Sequence, residues 1–381
     1  MRIALNVLYL IPGVVGGTET YAVSLIRALA SLDRENKYVL YVSREAAGLE
    51  WPEAPNFRRV VCPVRAVSRP ARYAWEQAVL PLQLAQFRPR VVHSLGYVAP
   101  LLAPCPSVVT IHDLNIEAMK GMMPEPKRRA LAWFVERAAR RAARVITLSE
   151  FSRQQLASRF RLPADRLAVI PLAPGRLDGA TAAMPEAALL RRRYALPDSY
   201  VAAMASASPH KNIPRLIDAF GRACPGGREA LVLIGRLPPG FDPAAAAARA
   251  GAAGRVLALG YVPRQDLGAL LSGAALFVMP SLYEGFGLPV LEAQRAGAPL
   301  ACSTAAALPE VAGEGAVYFD PSSAEAMAEA IRRCLADPAL RDDLRRRGGA
   351  NLQRFSWERA ARATRAVYEA AAAGEVAGKR A

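Results

Sequence analysis

A chain of 381 residues that is 52% hydrophobic and 22% charged is too long for one ordinary core and divides into two domains of roughly 150 to 200 residues. Its formal charge of +16 raises nucleic acid as a partner, but no helix-turn-helix or RNP-type pattern accompanies it, and the aromatics do not interleave with basic residues along a strand. Five cysteines, odd in number and without a CxxC pair, indicate neither a disulfide framework nor a zinc site, and a reducing cytoplasm suits them.

The first element lies within IALNVLYLIPGVV, residues 3–15. One Arg precedes it, Asn6 and Pro12 interrupt it, and no small-x-small cleavage site follows, so it reads as a buried first strand at 2–8, not a signal peptide. No apolar run reaches the roughly 18 residues a membrane-spanning helix requires. Next, Gly16 and Gly17 precede a helix expected from about Thr18. This is either an anion cradle of backbone N–H groups at a positive helix end or a tight turn needing positive φ. Further apolar strands at 38–42, 91–94, 108–111, 145–148 and 167–170 alternate with amphipathic helices, the pattern of a parallel doubly wound sheet. TIHDLN sets His112 and Asp113 at a strand end, in a functional or a capping role. VRAVSRPARYAW (64–75) and EPKRRALAWFVERAARRAAR (125–144) are basic and aromatic. The second is expected as one helix with Arg137, Arg141 and Arg144 on one face and Leu131, Phe134, Val135 and Ala138 on another. Arg137, Arg140, Arg141 and Arg144 are either a solvated surface or a contact for anionic lipid.

Residues 173–197 lack strand character and carry several breakers, which places a linker there. Strands resume at 201–205, 230–234, 256–258, 276–279, 300–301 and 317–319, repeating the alternation. Two Rossmann-like domains facing a cleft are therefore expected, with ligands beyond the carboxyl ends of the strands. After the first strand of the second half, ASASPHKN puts Lys211 ahead of a helix beginning near Asn212, to meet a phosphate or only solvent. Later comes PSLYEGFGLPVLEA, with Glu284 and Glu292 eight residues apart around two glycines and a proline. The glycines allow close backbone approach, the N–H groups of Gly285, Phe286, Gly287 and Leu288 can point at a diphosphate, and Glu292 can accept both hydroxyls of a ribose. GFG lacks the third glycine of a dinucleotide fingerprint.

The spacing from Glu284 to Glu292 within that strand, loop and helix context resembles the EX7E motif of retaining glycosyltransferase family 4, which has the GT-B fold. GGTET, VVHSLGYVAP, VVTIHDL, RVITLSEFSR, SPHKN and the closing FSWERAARATRAVYEAA are similar to the same family, so the resemblance covers about residues 2–372. It implies an N-terminal acceptor-binding domain (1–175), a linker (176–197), a C-terminal nucleotide-sugar domain (198–356) and a last helix, about 357–373, packed back on the first domain. It also implies that Glu292 holds the donor ribose, that Lys211 and Gly285 to Leu288 hold the diphosphate, that His112 contacts the donor sugar, and that Glu284 lies near the anomeric carbon. Gly16, Gly17 and Ser206 join the donor-binding set. Many members carry an Arg where this chain has Ser206, so His210 or Arg236 is a candidate for a second positive charge on the diphosphate.

No DxD motif occurs, which points to a metal-independent transferase without a cofactor. SPHKN resembles bacterial mannosyltransferases of cell-surface polysaccharide and lipopolysaccharide synthesis, so mannose from GDP-mannose is the expected donor and a glycan or lipid-linked molecule the acceptor. UDP-glucose, UDP-N-acetylglucosamine or a rhamnose donor, and a nucleotide-sugar epimerase of the same fold, are the alternatives. The expected location is cytoplasmic, with peripheral contact at the inner face of the plasma membrane.

Overall fold

The structure is a computed structural model that describes residues 1–14, 16–114, 123–175 and 184–378. It separates into two units, one of Met1–Leu172 with Ser356–Ala381 and one of Ala173–Phe355. Unit 1 runs through β1 (Arg2–Val7), α1 (Gly17–Leu32), β2 (Lys37–Val42), β3 (Phe57–Val61), α2 (Arg69–Ala74), α3 (Leu80–Phe87), β4 (Val91–Ser94), β5 (Ser107–Thr110), α4 (Glu125–Arg141), β6 (Arg144–Thr147), α5 (Glu150–Phe160) and β7 (Leu167–Val169). Its seven parallel strands lie in the order β3, β2, β1, β4, β5, β6, β7. The central strand β1 is buried from Ile3 to Val7, as a parallel strand covered on both faces must be. β3, FRRVV, is absent from the sequence expectation: as an edge strand it leaves both arginines exposed and shows no apolar run.

The helix expected over 125–144 stops at Arg141, and Arg144 opens β6 instead. Arg166 ends it, because its guanidinium donates to the carbonyls of Ala139, Arg140 and Ala142 and so satisfies the last turn.

Unit 2 continues with α6 (Met184–Arg193), β8 (Tyr200–Met204), α7 (Ile213–Ala223), β9 (Ala230–Ile234), α8 (Pro243–Arg249), β10 (Val256–Gly260), α9 (Arg264–Ser272), β11 (Leu276–Met279), α10 (Leu288–Arg295), β12 (Leu300–Ser303), α11 (Leu308–Ala312), β13 (Val317–Phe319), α12 (Ala324–Ala336) and α13 (Pro338–Leu352). Six parallel strands run β10, β9, β8, β11, β12, β13, the same order as the first six of unit 1. α7 shows why the layers hold: Ile213, Leu216, Ile217 and Phe220 repeat at helical spacing and are buried with Met327 and Ile331 of α12. Each such side chain contributes roughly 1.5–3 kcal/mol when removed from water. Of the stretch expected as a linker, 176–183 lies outside the described residues and 184–193 is helical.

The last described helix, α14 (Trp357–Gly378), belongs to unit 1 and packs on α1. Its Tyr368 is fully buried, with the hydroxyl 2.7 Å from His93 Nδ1 on β4. Among the described residues, no helix is long and apolar enough to cross a membrane.

Candidate active site

In both sheets the order reverses beside the first strand, between β1 and β4 and between β8 and β11. Such switch points open a crevice at the carboxyl ends of the strands, where ligands of doubly wound sheets sit. In unit 2 the exit loops of β8 and β11 therefore meet, although 73 residues separate them in sequence. Asn212 ties them. It adopts the left-handed conformation (φ 58°), which Asn tolerates, and its buried amide donates to the carbonyls of Pro280 (3.0 Å) and Pro321 (2.8 Å). The amide of Leu282 donates to the His210 carbonyl at 2.8 Å. Lys211 is thereby delivered to Glu284, with Nζ 2.7 Å from Oε1 and each side chain only 14% exposed. The sequence had placed these two on separate ligand groups, so their direct pairing is new.

β11 gives way to α10 through Gly287, whose φ of 98° admits no ordinary side chain, and whose added Cβ would come 2.6 Å from Leu308 Cδ2. The helix therefore starts abruptly, and the positive end of its dipole lies beside the Glu284 loop. Phe286 and Leu288 are buried, and the Phe286 ring meets Phe355 edge to face at 6.0 Å, so these two can offer a ligand only backbone N–H groups. Glu292 is buried one turn into α10. Burial raises its carboxyl above the usual range, countered by Arg264 and then by Lys211. Arg264, the first residue of α9 after the β10 exit loop, approaches it at 3.7 Å with 47% of its side chain in solvent. Sequence reasoning missed Arg264, although its position just beyond a strand end was a usable signal.

Ser206 turns its hydroxyl to the local chain, accepting from the Ser208 amide at 3.2 Å. Burial lowers His210 below the usual imidazole range, so it brings no charge at neutral pH, whereas Arg236 stands exposed at the end of β9. Among the described residues, no three His, Cys, Asp or Glu side chains gather as a metal-holding group.

In unit 1 the switch point is close-packed: a Cβ on Gly96, after β4, would lie 2.6 Å from the Tyr9 ring, after β1. His112 follows β5, buried, with the Tyr21 ring edge-on at 4.9 Å and Nε2 3.1 Å from the Leu95 carbonyl. Burial lowers its pKa to about 4, so the ring is neutral. A carbonyl only accepts, hence Nε2 carries the proton and Nδ1 is the acceptor. Asp113 accepts from the Tyr97 hydroxyl at 2.9 Å. Gly16 caps α1 with φ 58° and Gly17 is its first residue, while Glu19 accepts from the Gly13 amide at 2.8 Å, so a carboxylate of this chain takes one donor of the supposed cradle. Glu76 also escaped notice: it is buried in a π-helical turn (Trp75–Val79), where its carboxyl accepts from Asn6 at 3.1 Å and faces Arg72 at 3.6 Å.

The four arginines do not form one free surface. Arg137 lies over Trp133 at 5.5 Å, Arg140 pairs with Glu136 at 2.9 Å, and Arg141 and Arg144 donate to the carbonyls of Leu101 and Ala143.

Residues 15–173 match the family described as glycosyltransferase family 4, and residues 191–350 the family described as glycosyl transferases group 1. The O-antigen chain mannosyltransferase B of Escherichia coli is 30% identical over 304 residues, which cover 79% of this chain and 77% of that protein. This chain belongs to glycosyltransferase family 4. Another relative of this glycosyltransferase is the MMP alpha-(1->4)-mannosyltransferase of Mycolicibacterium hassiacum, 31% identical over 285 residues, 70% of this chain and 66% of that one. Among solved structures, WaaG, a glycosyltransferase involved in lipopolysaccharide biosynthesis, matches with a TM-score of 0.69 over 98% of each chain at 16% identity, a likeness of fold alone. The two doubly wound units are those of the GT-B fold.

Proposed function

We propose that this glycosyltransferase moves mannose from GDP-mannose, with retention and without a metal, to a glycan or lipid-linked acceptor in cell-surface polysaccharide synthesis. The observation that carries the donor site is the pairing in unit 2 of Lys211 with Glu284 and of Arg264 with Glu292, beside the start of α10. Breaking a glycosyl-phosphate bond leaves negative charge on the nucleoside diphosphate while the sugar gains oxocarbenium character. Lys211 and the N–H groups from Gly285 to Leu288 suit the diphosphate, Glu292 the ribose hydroxyls, and Glu284 the transferred sugar. A diphosphate would take Lys211 over from Glu284, releasing a carboxylate towards the sugar as the bond weakens. Arg236 is the candidate for a further positive charge, and His112, through Nδ1, accepts from a substrate hydroxyl. The mannosyltransferase relatives support the choice of sugar.

A peripheral contact with anionic membrane is the accompanying proposal, supported by Trp133, 48% exposed among the arginines of α4, and by Leu102, 72% exposed on the loop that binds Arg141. The test of the reaction is incubation with a panel of nucleotide sugars, with and without EDTA, following diphosphate release and the anomeric configuration of the product. Mannosyl product of unchanged configuration in the presence of EDTA supports the proposal. An isomerised donor without an acceptor would make the protein an epimerase, and activity restored only by Mg2+ or Mn2+ would end the metal-free mechanism.

A further inference from the structure

At the amino ends of β5, β6 and β7, unit 1 forms a cavity of about 810 Å3. Its walls are the segments 103–107, 142–144 and 165–166, which lead into those strands, the end of α4, and Ala371 and Gly374 of α14. Ligands of doubly wound sheets sit at the other, carboxyl ends. His112 follows β5 there, roughly 16 Å beyond Ser107 along an extended chain. No residue assigned above to the sugar donor lines the cavity.

The lining divides into two chemistries. One side is cationic, with Arg140, Arg141, Arg144 and Arg166 against a single described carboxylate, Asp165. Arg140 is paired with Glu136. The other three are held by main chain: Arg141 donates to the Leu101 carbonyl, Arg144 to that of Ala143, and Arg166 to those of Ala139, Arg140 and Ala142. A carbonyl fixes a guanidinium and leaves its charge uncancelled. On α13, by contrast, Arg345, Arg346 and Arg347 each pair with an aspartate of their own helix. A guanidinium carries five N–H groups, so most of those on Arg141 and Arg144 remain for a ligand. Burial holds Arg166 below its ordinary pKa; Asp165 opposes the shift, and the nearby charge of Arg144 adds to it. An anion beside these cations would relieve their repulsion.

The other side is apolar. Pro100, Leu101, Pro104 and Pro106 line it, and the prolines bring no N–H group. Leu102, between two lining residues, carries the apolar wall outward with 72% of its surface in solvent. Gly374 supplies room, since nothing lies within 4 Å of the position its Cβ would take. The volume falls within the roughly 300–1,000 Å3 of small-molecule sites, more than a bare phosphate fills.

We infer that this cavity is a second ligand site, for a phosphate ester with an apolar body: the phosphate on Arg141, Arg144 and Arg166, the body against the proline wall. The planar fork of an arginine meets phosphate oxygens two at a time, which an ammonium does not. A membrane phospholipid and a soluble phosphorylated metabolite share this chemistry. The site differs from a diffuse attraction to anionic membrane, because it separates Arg141 and Arg144 from Arg137, which lies over Trp133 and does not line the cavity.

The test is calorimetric titration of the full chain with hexyl phosphate, and with inorganic phosphate as reference. The proteins are the wild type, the double variant Arg141→Gln with Arg144→Gln, Gly374→Phe, Arg137→Gln and Lys211→Ala. The wild type should bind hexyl phosphate at least about tenfold more tightly than inorganic phosphate, because only the ester reaches the apolar wall. The double variant should weaken the ester by about tenfold or more, through loss of charge-assisted contacts. Gly374→Phe should do the same by filling the cavity, without a fall in melting temperature, since its side chain enters open space and replaces a helical glycine. Arg137→Gln and Lys211→Ala should bind the ester within about twofold of the wild type. Equal weakening in Arg137→Gln would reduce the effect to surface charge. Loss in Lys211→Ala with none in the cavity variants would put the phosphate at the candidate donor site. Either result overturns the inference, as does a wild type without preference for the ester. A second arm separates the sources, by co-sedimentation with phosphatidylcholine vesicles carrying phosphatidic acid. Release of the bound protein by hexyl phosphate makes a lipid the occupant; no release, or no binding to the vesicles, makes it a soluble ester.

Discussion

The two units share a strand order and differ in what they gather on it. Unit 2 lines its switch point with paired charges, Lys211 with Glu284 and Arg264 with Glu292, partly open to solvent. Around β4 and β5, unit 1 instead buries a chain of neutral groups: Tyr368 bonds His93 at 2.7 Å, His93 bonds Thr110 at 2.8 Å, Thr110 bonds Tyr21 at 2.7 Å, and Tyr21 packs on His112. Strand order provides a place for a ligand, and local chemistry decides what it can hold. Salt-bridged carboxylates and cations exchange partners with an ionic ligand, whereas a satisfied neutral network fixes geometry and resists charge.

The largest effect that tests this contrast is acid sensitivity. Burial lowers His93 to about 3 and His112 to about 4, against an ordinary imidazole near 6.5. Below about pH 6.5 the unfolded chain takes up protons that these folded imidazoles refuse, so their contribution to stability is complete above that pH and shrinks as pH falls towards 4. At pH 5 the loss is about 2 kcal/mol for each ring. The melting temperature should therefore drop steeply between pH 7 and pH 5, and His93→Gln should remove the part of the slope owed to that ring. An unchanged slope would mean the network is not neutral.

Next is Lys211→Ala, which on the proposed donor site should lower turnover by roughly 100-fold or more, because attraction for a diphosphate held there would grow as charge develops on it. Steady-state kinetics with saturating donor measures this; a change confined to KM would make Lys211 only a binding group. Glu292→Ala should act the other way, raising the donor KM by about tenfold with a smaller change in turnover, since a ribose contact is alike in ground and transition states. Unaltered donor affinity would remove Glu292 from the ribose.

The smallest effect concerns the arginines of α4 and of the start of β6. Replacing Arg137, Arg140, Arg141 and Arg144 by Gln should weaken co-sedimentation with anionic vesicles at low salt by a few-fold, each charge contributing on the order of 1 kcal/mol before screening. Donor hydrolysis should be unchanged. The pairing of Arg140 with Glu136 and the carbonyl contacts of Arg141 and Arg144 argue for a modest loss. Equal sedimentation of both proteins would return these arginines to a purely local role.

Much of this was legible in the sequence, and the exceptions have physical causes. Central strands announce themselves because both faces are buried; β3 did not, because an edge strand tolerates Arg58 and Arg59. Arg144 looked helical because alanines and arginines continue past Arg141, and the signal that stops the helix, Arg166, comes from a distant loop. The spacing of Glu284 and Glu292 is local, so a motif could reveal it. The contacts of Lys211 with Glu284 and of Arg264 with Glu292 arise from strand adjacency and loop closure, which no local pattern records.

The hydrogen bond between Tyr368 and His93 has a consequence for synthesis. A ribosome delivers β4 early but releases Tyr368 only after every residue of unit 2 has emerged. During translation the N-terminal unit must wait with an uncovered face and an imidazole lacking its phenol partner, while the second unit, whose strands are contiguous, can close first. A truncation that removes only α14 therefore harms the beginning of the protein more than the unit just made, and trimming about 25 residues from the C-terminus should expose the N-terminal unit, not the second, to proteolysis.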